Sequence, residues 1–369
     1  MKTHSTFDDS IEATTTVDAQ EWDGFLESVP DSHHLQTSLW AELKSPSGWQ
    51  ASRLALRENE QIVAGLQILQ RPLSKFGRVG YVPRGPVFAR EDPQLPPRLM
   101  AEFESLVRAK QFRYLMVQPP RVGASFVQEL TTKGFCPTPF QTAPTATVLI
   151  DVQQPFETVF AGLRSDTRRA VRAGLANDLK VRTGNESDLP AFHSLLVATG
   201  QRHGFIPQAL DYFRRMWRLF APSDNIVLFL AERGSESVAA ELDVAFGDTL
   251  VSKRAGWSGA HRKLYPNQLV VWTALNWARE RGLKYYDMEG FDPDLAHALA
   301  RGEMLPDEAK RTHHWFKLGF GGEVTLLPDN YEIVRVPLLG WAHRNVWFNA
   351  TSLGFRRWLL KKLGLRWSV

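Results

Sequence analysis

The residue types best suited to chemistry lie in a short run around position 317. Lys317 follows Phe316 and precedes a turn with glycine at positions 319, 321 and 322. A lysine ammonium held by such a turn could stabilise the oxyanion that forms during acyl transfer. A solvated lysine beside a turn is the alternative that the same spacing allows. The run nominates Lys317 and Phe316 as candidate catalytic residues.

A second group of candidates lies about thirty residues earlier, at the end of a predicted strand. Tyr286, Asp287 and Glu289 follow one another there. The Glu289 carboxylate could accept an acceptor ammonium, and pairing with Arg262 or Lys263 is the alternative. We therefore treat this strand end as a candidate substrate-binding segment.

A basic helix is predicted just after residue 155. Arg164, Arg168 and Arg172 recur at i, i+4 and i+8, with Arg169 beside them. One positive helix face of this kind suits contacts to a phosphate backbone. A solvated helix face is the other interpretation.

A further pair lies near the beginning of the chain. Trp40 and Lys44 are one helical turn apart, so they are predicted to share a helix face. An ammonium is a compact point charge that suits phosphate groups. A surface lysine on a short helix is the alternative.

Composition limits the class of protein. The 369 residues carry a net charge of only +4 and one cysteine, Cys136, which excludes an intrachain disulfide framework and a cysteine-rich metal site. The histidine pairs at 33–34 and 313–314 lack ligand neighbours at metal spacing, so we predict no metal. Residues 1–20 lack an apolar signal-like run, and no run is long enough to span a bilayer. We expect a cytoplasmic protein, with peripheral contact at the inner membrane face as an addition.

The carboxyl-terminal segment suggests that addition. After Glu332 there is no acidic residue, while basic residues alternate with aromatic ones up to Trp367. Basic and aromatic residues together favour an anionic surface, either lipid or RNA. A packing helix with a basic rim is the alternative.

Two stretches of the chain share one order of predicted elements. A hairpin at 53–57 and 62–69 matches a hairpin at 226–231 and 238–245. In both stretches a third strand, an amphipathic helix and another strand follow; these helices and strands are 97–110 with 114–117, and 267–281 with 285–288. The pattern predicts a duplicated α/β (α+β) protein in which helices flank mostly antiparallel mixed sheets.

The domain boundaries follow from this duplication. We assign 18–148 plus 318–369 to the first domain and 149–317 to the second. Pro155 favours a helix that begins at Phe156, and Gly174 is placed to end it.

The order of elements resembles the GCN5-related N-acetyltransferase (GNAT) fold in two tandem copies. Such a duplicated chain is similar to the Fem family, the aminoacyl-tRNA-dependent transferases that build peptidoglycan cross-bridges. The resemblance extends over most of the chain and includes the basic helix 164–172. Its other residues are Gln36, Trp40, Lys44, Trp49, Arg84, Arg202, Phe205, Tyr212, Tyr265, Asn267, Tyr286, Glu289, Phe316, Lys317 and Phe320. No heptad-rich helical pair is present, so the chain looks like the short, monomeric, FemX-like branch.

The resemblance implies a reaction and roles for these residues. A primary amine of a muramyl-peptide precursor, nucleotide- or lipid-linked, would attack the ester of an aminoacyl-tRNA without a further cofactor. Lys317 would serve the oxyanion or the terminal tRNA phosphates. Lys44 would contact the precursor diphosphate, and Arg202 would contact a second phosphate.

Other candidates are implied by position alone. Trp40 and Arg84 lie in the matching segments of the first domain. Tyr265 and Asn267 begin the helix at which an acyl-CoA enzyme would bind pyrophosphate. The domain carrying Trp40 is assigned to the acceptor, and the other domain to the donor.

The sequence departs from the family pattern at two positions. Gln118 stands where many members have an acidic residue, and a glutamine cannot act as a general base. Glu289 stands where glycine is common. The proton acceptor is therefore left unassigned among solvent, the tRNA ribose hydroxyl and another residue.

Three competing functions remain at this point. An acyl-CoA N-acyltransferase would need a glycine-rich pyrophosphate loop, which residues 259–267 lack. Transfer from tRNA to a peptide natural product would use the same fold. A degenerate scaffold at a membrane surface is the non-enzymatic alternative.

Overall fold

The computed structural model describes residues 10–73, 77–121, 123–138 and 143–335. The basic aromatic segment lies almost wholly beyond residue 335, so its predicted surface binding falls outside the described residues. The chain divides into two compact units. One runs to Ala143 and resumes at Pro328, and the other runs from Pro144 to Leu327.

The first unit is built on one mixed sheet. Its described strands are β1 Ile11–Thr14, β2 Gln50–Glu58, β3 Gln61–Pro72, β4 Arg78–Val82, β5 Val87–Phe88, β6 Phe112–Val117, β7 Cys136–Thr138 and β15 Asn330–Val334. They run in the order β1-β2-β3-β4-β6-β15-β7, with β5 paired to β3. The pairing of β4 with β6 is parallel, whereas the other pairings among the described strands of this sheet are antiparallel.

Four helices accompany this sheet in the described residues: α1 Ala19–Ser28, α2 Ser38–Lys44, α3 Leu95–Ala109 and α4 Ala124–Thr132. In α3, Leu99, Met100, Phe103 and Val107 are buried and recur at helical spacing. They join a core with the apolar residues of β2, β3 and β6. Apolar periodicity is therefore what docks α3 against the sheet.

The second unit has its own sheet. Its strands are β8 Ala146–Asp151, β9 Leu179–Thr183, β10 Ile226–Arg233, β11 Glu236–Phe246, β12 Thr249–Trp257, β13 Tyr285–Asp287 and β14 Glu323–Leu326. Their order is β14-β8-β13-β12-β11-β10-β9. Here β12 and β13 are parallel. The pairing of β11 with β12 is antiparallel and shifts register between Leu242 and Asp243.

The described helices of the second unit are α5 Phe156–Gly162, α6 Ser165–Leu175, α7 Leu189–His203, α8 Leu210–Phe220, α9 Pro266–Glu280, α10 Pro293–Ala300 and α11 His313–Leu318. Buried residues of α9, including Leu269, Trp272 and Leu275, pack against one face of the sheet. A helix and a strand thus follow a hairpin in each unit, so the predicted duplicated α/β fold is confirmed.

Four details of the sequence prediction need correction. The helix predicted from 156 to 174 is broken, because Leu163 is extended and buried while the backbone N–H of Arg164 donates to the Gly319 carbonyl oxygen. The boundary at 148/149 cuts β8, which pairs with β13 and β14 and so belongs to the second sheet, and the boundary at 317/318 wrongly assigns β14 to the first domain. The first sheet also begins earlier than residue 18, at β1.

Candidate functional site

The Lys317 ammonium lies at the centre of a backbone turn. Its Nζ donates to the carbonyl oxygens of Met288 at 2.7 Å and Gly290 at 2.6 Å, and also to that of Glu289. Left-handed backbone at Glu289 (φ 31°) and Gly290 (φ 79°) follows β13 in this turn. An ammonium has three N–H donors, so all three are engaged. Burial lowers the pKa of Lys317, and the carboxylates of Glu289 and Asp287 oppose that shift.

The turn is held from a second side by an ion pair. Lys253 Nζ lies 2.6 Å from Glu289 Oε1, and the two side chains are only 10% and 12% exposed. Burial lowers the pKa of Lys253, and the charge of Glu289 opposes this. The basic partner of Glu289 is therefore Lys253 and not Arg262 or Lys263, as the sequence had suggested.

The predicted strand-end residues divide between the turn and the core. Asp287 Oδ1 accepts the Glu289 N–H at 2.8 Å and the hydroxyl of Thr147. Tyr286 is fully buried, and its hydroxyl donates to Glu241 Oε1 at 2.9 Å. Asp287 thus shapes the turn, while Tyr286 points into the core.

Two buried acids lie behind this turn, and the sequence interpretation did not select them. Glu241 is 2% exposed and Asp243 is 0% exposed, both on β11. Burial raises the pKa of both, and the Glu241 charge raises that of Asp243 further. Their signal was available, because two acids at alternate positions interrupt a strand that is otherwise apolar.

The other residues of α11 pack around Lys317. The Phe316 ring lies 5.2 Å from the Phe320 ring and joins the apolar core of the unit. His313 and His314 have ring centroids 3.9 Å apart. Desolvation, followed by the charges of His314 and Lys317, lowers the pKa of His313 to about 4. His313 is therefore neutral at pH 7.

The basic helix residues have mostly internal partners. Arg164 pairs with Asp166 at 2.7 Å, donates to the Trp315 carbonyl oxygen at 3.0 Å and lies 4.0 Å above the Trp315 ring. Arg168 donates to the Ala161 carbonyl oxygen at 2.7 Å. The other two arginines of the predicted basic face are Arg172 and Arg169. The Arg172 guanidinium lies 5.1 Å from the Phe160 ring, and Arg169 is exposed.

Three further candidates lie at helix ends, two at the start of α9 and one in the last turn of α7. Tyr265 has a left-handed backbone (φ 58°) and directly precedes α9, whose second residue is Asn267. Arg202 donates to the Thr199 hydroxyl at 3.2 Å, and its guanidinium lies 5.0 Å from the Trp257 ring. The guanidinium of Arg202 therefore links α7 to β12.

The candidates of the first unit include the predicted aromatic–cation pair. Lys44 Nζ lies 4.6 Å from the centroid of the Trp40 ring, as the helical spacing predicted. Arg84 is buried and has a left-handed backbone (φ 49°). Gln118 is fully buried and donates to the Ala143 carbonyl oxygen at 3.1 Å. Gln118 therefore has a structural role in the first unit.

The described residues lack two kinds of feature. Residues 10–73, 77–121, 123–138 and 143–335 hold no group of three or more histidine, cysteine or acidic residues arranged to bind a metal ion. Within the same ranges, no helix is both long and apolar enough to cross a bilayer.

Known proteins resemble this chain in sequence. It is 26% identical over 235 residues to the lipid II:glycine glycyltransferase of Staphylococcus haemolyticus, covering 61% of this chain and 56% of that protein. It is 24% identical over 224 residues to the protein of the same name in Staphylococcus aureus strain MRSA252, covering 58% and 53%. The chain thus spans about half the length of the curated relatives it matches.

Solved structures share the fold. The crystal structure of FemX matches with a TM-score of 0.77 at 18% identity, covering 91% of this chain and 99% of FemX. A tandem GNAT protein from the clavulanic acid biosynthesis pathway matches with a TM-score of 0.50 at 10% identity, covering 89% and 99%. At these identities the likeness establishes the fold alone.

The family is established by a match to a family model. The FemAB family model matches residues 17–234, which is more than half of the 369-residue chain. The chain belongs to the FemAB family.

Proposed function

We propose that this chain is an aminoacyltransferase of peptidoglycan cross-bridge formation. It moves an aminoacyl group from aminoacyl-tRNA to a primary amine of a muramyl-peptide precursor. The observation that carries the proposal is the similarity to glycyltransferases whose names specify lipid II and glycine. Membership of the FemAB family supports the same reaction class.

The reaction asks little of the protein beyond placement. The ester of an aminoacyl-tRNA is already activated, so orientation, proton transfer and charge stabilisation are what remain. Lys317 supplies a fixed positive charge at the 288–290 turn, where its three donors hold three carbonyl oxygens. Its role in the proposal is to set the shape and potential of this turn. Direct donation to an oxyanion would require one of those hydrogen bonds to break.

Substrate contacts are assigned by residue chemistry. Lys44, set against Trp40 in α2, presents an ammonium to the precursor diphosphate. Exposed Arg169 is the helix residue assigned to tRNA phosphate. Tyr265 and Asn267, at the start of α9, are assigned to the donor. Because charged tRNA is the proposed donor, we propose that the reaction takes place in the cytoplasm. We also propose that the chain acts as a monomer.

The experiment is a transfer assay with two donors. The purified chain is incubated with total bacterial tRNA charged with labelled amino acids, and with nucleotide-linked or lipid-linked muramyl pentapeptide. A parallel reaction replaces charged tRNA by labelled acetyl-CoA. Label in the peptide is measured with and without ribonuclease.

The outcomes separate the competing functions. Ribonuclease-sensitive labelling supports the proposal and identifies both the amino acid and the acceptor. Labelling from acetyl-CoA alone would replace it with an acyl-CoA N-acyltransferase. No labelling from either donor, by a chain whose folding is verified by circular dichroism, would overturn the proposal for these acceptors.

A further inference from the structure

Glu241 and Asp243 form an acidic pair within an apolar layer. In the register of β10 and β11, Phe229 lies opposite Glu241 and Val227 lies opposite Asp243. Both apolar partners belong to the core that packs against α9. Cross-strand partners share a sheet face, so the two carboxyls point into that core. A buried carboxyl is expensive to keep charged unless hydrogen bonds compensate it.

The two carboxyls have different surroundings. Glu241 Oε1 accepts hydrogen bonds from the Tyr286 hydroxyl at 2.9 Å and from the Ser252 hydroxyl. Both Asp243 oxygens lack a hydrogen-bond partner within the described part of the chain. The nearby Lys317 charge acts on Glu241, not on Asp243. The hydroxyl donors and the Lys317 charge therefore favour the negative charge on Glu241, whereas burial favours the protonated form of Asp243.

Ser252 connects this pair to the surface. It lies on β12 opposite Asp243 and is partly exposed, whereas both acids are buried. The next residue, Lys253, falls in the register shift of β12 and reaches Glu289 of the turn. Ser252 thus binds the buried Glu241 carboxylate, and the residue next to it on β12 binds the Lys317 turn.

We propose that Glu241 is the proton acceptor of the transfer reaction and that it acts through the Ser252 hydroxyl. This inference rests on the proposed function. As the amine nitrogen bonds to the ester carbonyl carbon, its proton passes to Ser252 Oγ while the Ser252 proton passes to Glu241 Oε1. As the bond from carbon to the ribose oxygen breaks, the same proton returns through Ser252 to that oxygen. The amine loses one proton and the ribose gains one, so no other acid or base is consumed.

The arrangement fits a base better than a structural bond. Burial raises the pKa of Glu241, while the two hydroxyl donors and Lys317 limit that rise. A general base is most effective when its pKa approaches the working pH. Tyr286 stays neutral, because burial and then the negative charge of Glu241 hold the pKa of its hydroxyl well above the usual range. The Tyr286 hydroxyl thus orients the carboxylate without competing for its proton.

The relay also gives the chain a base of its own. Gln118 cannot accept a proton from an amine, and its amide is bound to the Ala143 carbonyl oxygen. The described groups acting on Glu241 are Ser252, Tyr286, Asp243 and Lys317. Of these, only Ser252 combines a hydroxyl bonded to the carboxylate with a partly exposed residue.

The test compares Glu241→Gln, Ser252→Ala and Ser252→Thr with the wild-type chain. The assay uses total charged bacterial tRNA and nucleotide-linked muramyl pentapeptide, and kcat and kcat/KM are measured from pH 5 to 9. We expect the first two variants to lose at least about 100-fold in kcat, within the range for general bases. Ser252→Thr keeps the hydroxyl and restores most of the rate.

The pH profile provides the readout that a structural role would not change. In the wild type, both Glu241 and the acceptor amine must be deprotonated. The pKa of such an amine is about 10. Log kcat/KM therefore rises with a slope of two at low pH. The slope falls to one in Glu241→Gln and Ser252→Ala, since only the amine then titrates.

Each outcome decides the question. Folded Glu241→Gln and Ser252→Ala variants with the wild-type rate and slope would overturn the relay and leave the proposed function standing. If Glu241→Gln fails to fold, Ser252→Ala and Ser252→Thr decide alone. A wild-type chain that transfers nothing from either donor would overturn the proposed function and the relay together.

Discussion

Lys317 Nζ lies 2.6 Å from the carbonyl oxygen of Gly290, in a turn whose left-handed backbone begins at the preceding residue. Three successive carbonyl oxygens converge on one ammonium here. The lysine selected from sequence for an oxyanion is, in the structure, the residue that closes the strand-end turn. Lys317 belongs to α11 and binds the turn that follows β13. The shape of this turn and the position of α11 therefore depend on each other.

Lys317→Met tests that dependence. The change leaves three carbonyl oxygens without their donor, which we expect to lower the free energy of unfolding by about 3 kcal/mol. It also removes the positive charge at the turn, so we expect kcat of aminoacyl transfer to fall at least about 100-fold. Urea unfolding and steady-state kinetics measure the two effects.

The matched control for this variant is Lys263→Met, because Lys263 is an exposed lysine of the same unit. It should keep the wild-type stability and rate. A folded Lys317→Met protein with wild-type kcat would remove Lys317 from the mechanism.

Gln118→Glu tests whether the first unit has an unused base position. Gln118 Nε2 donates to the Ala143 carbonyl oxygen at 3.1 Å, and the residue is fully buried. A glutamate carboxylate at this position has no N–H to donate to the Ala143 carbonyl oxygen. We therefore expect the free energy of unfolding to fall by about 1–3 kcal/mol. We also expect no gain in kcat, because the group remains enclosed.

Gln128→Glu is the control, since Gln128 is exposed on α4. It should change stability by less than about 0.5 kcal/mol. A Gln118→Glu chain that is faster than wild type would show that the position supports base catalysis after all.

The fold was readable from sequence because apolar periodicity controls it. The hairpin at 226–231 and 238–245 corresponds to β10 and β11, and the helix predicted at 267–281 corresponds to α9. The Trp40–Lys44 contact followed from helical spacing alone. These features depend on neighbours a few residues apart, which a single sequence displays.

The site was less readable because its contacts join distant segments. Lys317 meets carbonyl oxygens 27 to 29 residues away, and Arg164 meets Trp315 across 151 residues. No local pattern shows that an arginine in a basic run is bound internally. The Glu241–Asp243 pair was missed for a related reason, because alternating acids suggest a solvated face until α9 is seen to cover it.

Arg169→Ala and Arg164→Ala form a matched pair for tRNA binding. Arg169 is exposed, whereas Arg164 is bound to Asp166 and Trp315. If Arg169 contacts one phosphate, its removal should reduce the slope of log Kd against log salt by about 1. Fluorescence anisotropy with labelled tRNA measures that slope at several salt concentrations.

Arg164→Ala should behave in the opposite way. It should leave the salt slope unchanged and lower Tm, because the link between α6 and α11 is lost. Equal slopes in the wild type and Arg169→Ala would contradict the assignment of tRNA phosphate to this helix face.

Asp243→Asn tests the protonation of the buried pair through stability. Burial and the Glu241 charge raise the pKa of Asp243 well above its usual range. Above the pKa of the unfolded side chain, the folded state therefore binds more protons than the unfolded state. The contribution of Asp243 to stability is fully present below that unfolded pKa and is lost as pH rises toward the folded pKa, by about 1.4 kcal/mol per pH unit. An asparagine lacks this dependence, so the variant should gain on the wild type as pH rises.

Urea unfolding from pH 5 to 8 measures the difference between the two proteins, and it should widen steadily with pH. Asp224→Asn is the control, because Asp224 is exposed and left-handed (φ 55°), a conformation that asparagine also accepts. Its stability difference from wild type should not depend on pH over this range. A constant difference for Asp243→Asn would mean that Asp243 is ionised in the folded chain. The negative charge could then no longer be assigned to Glu241 alone.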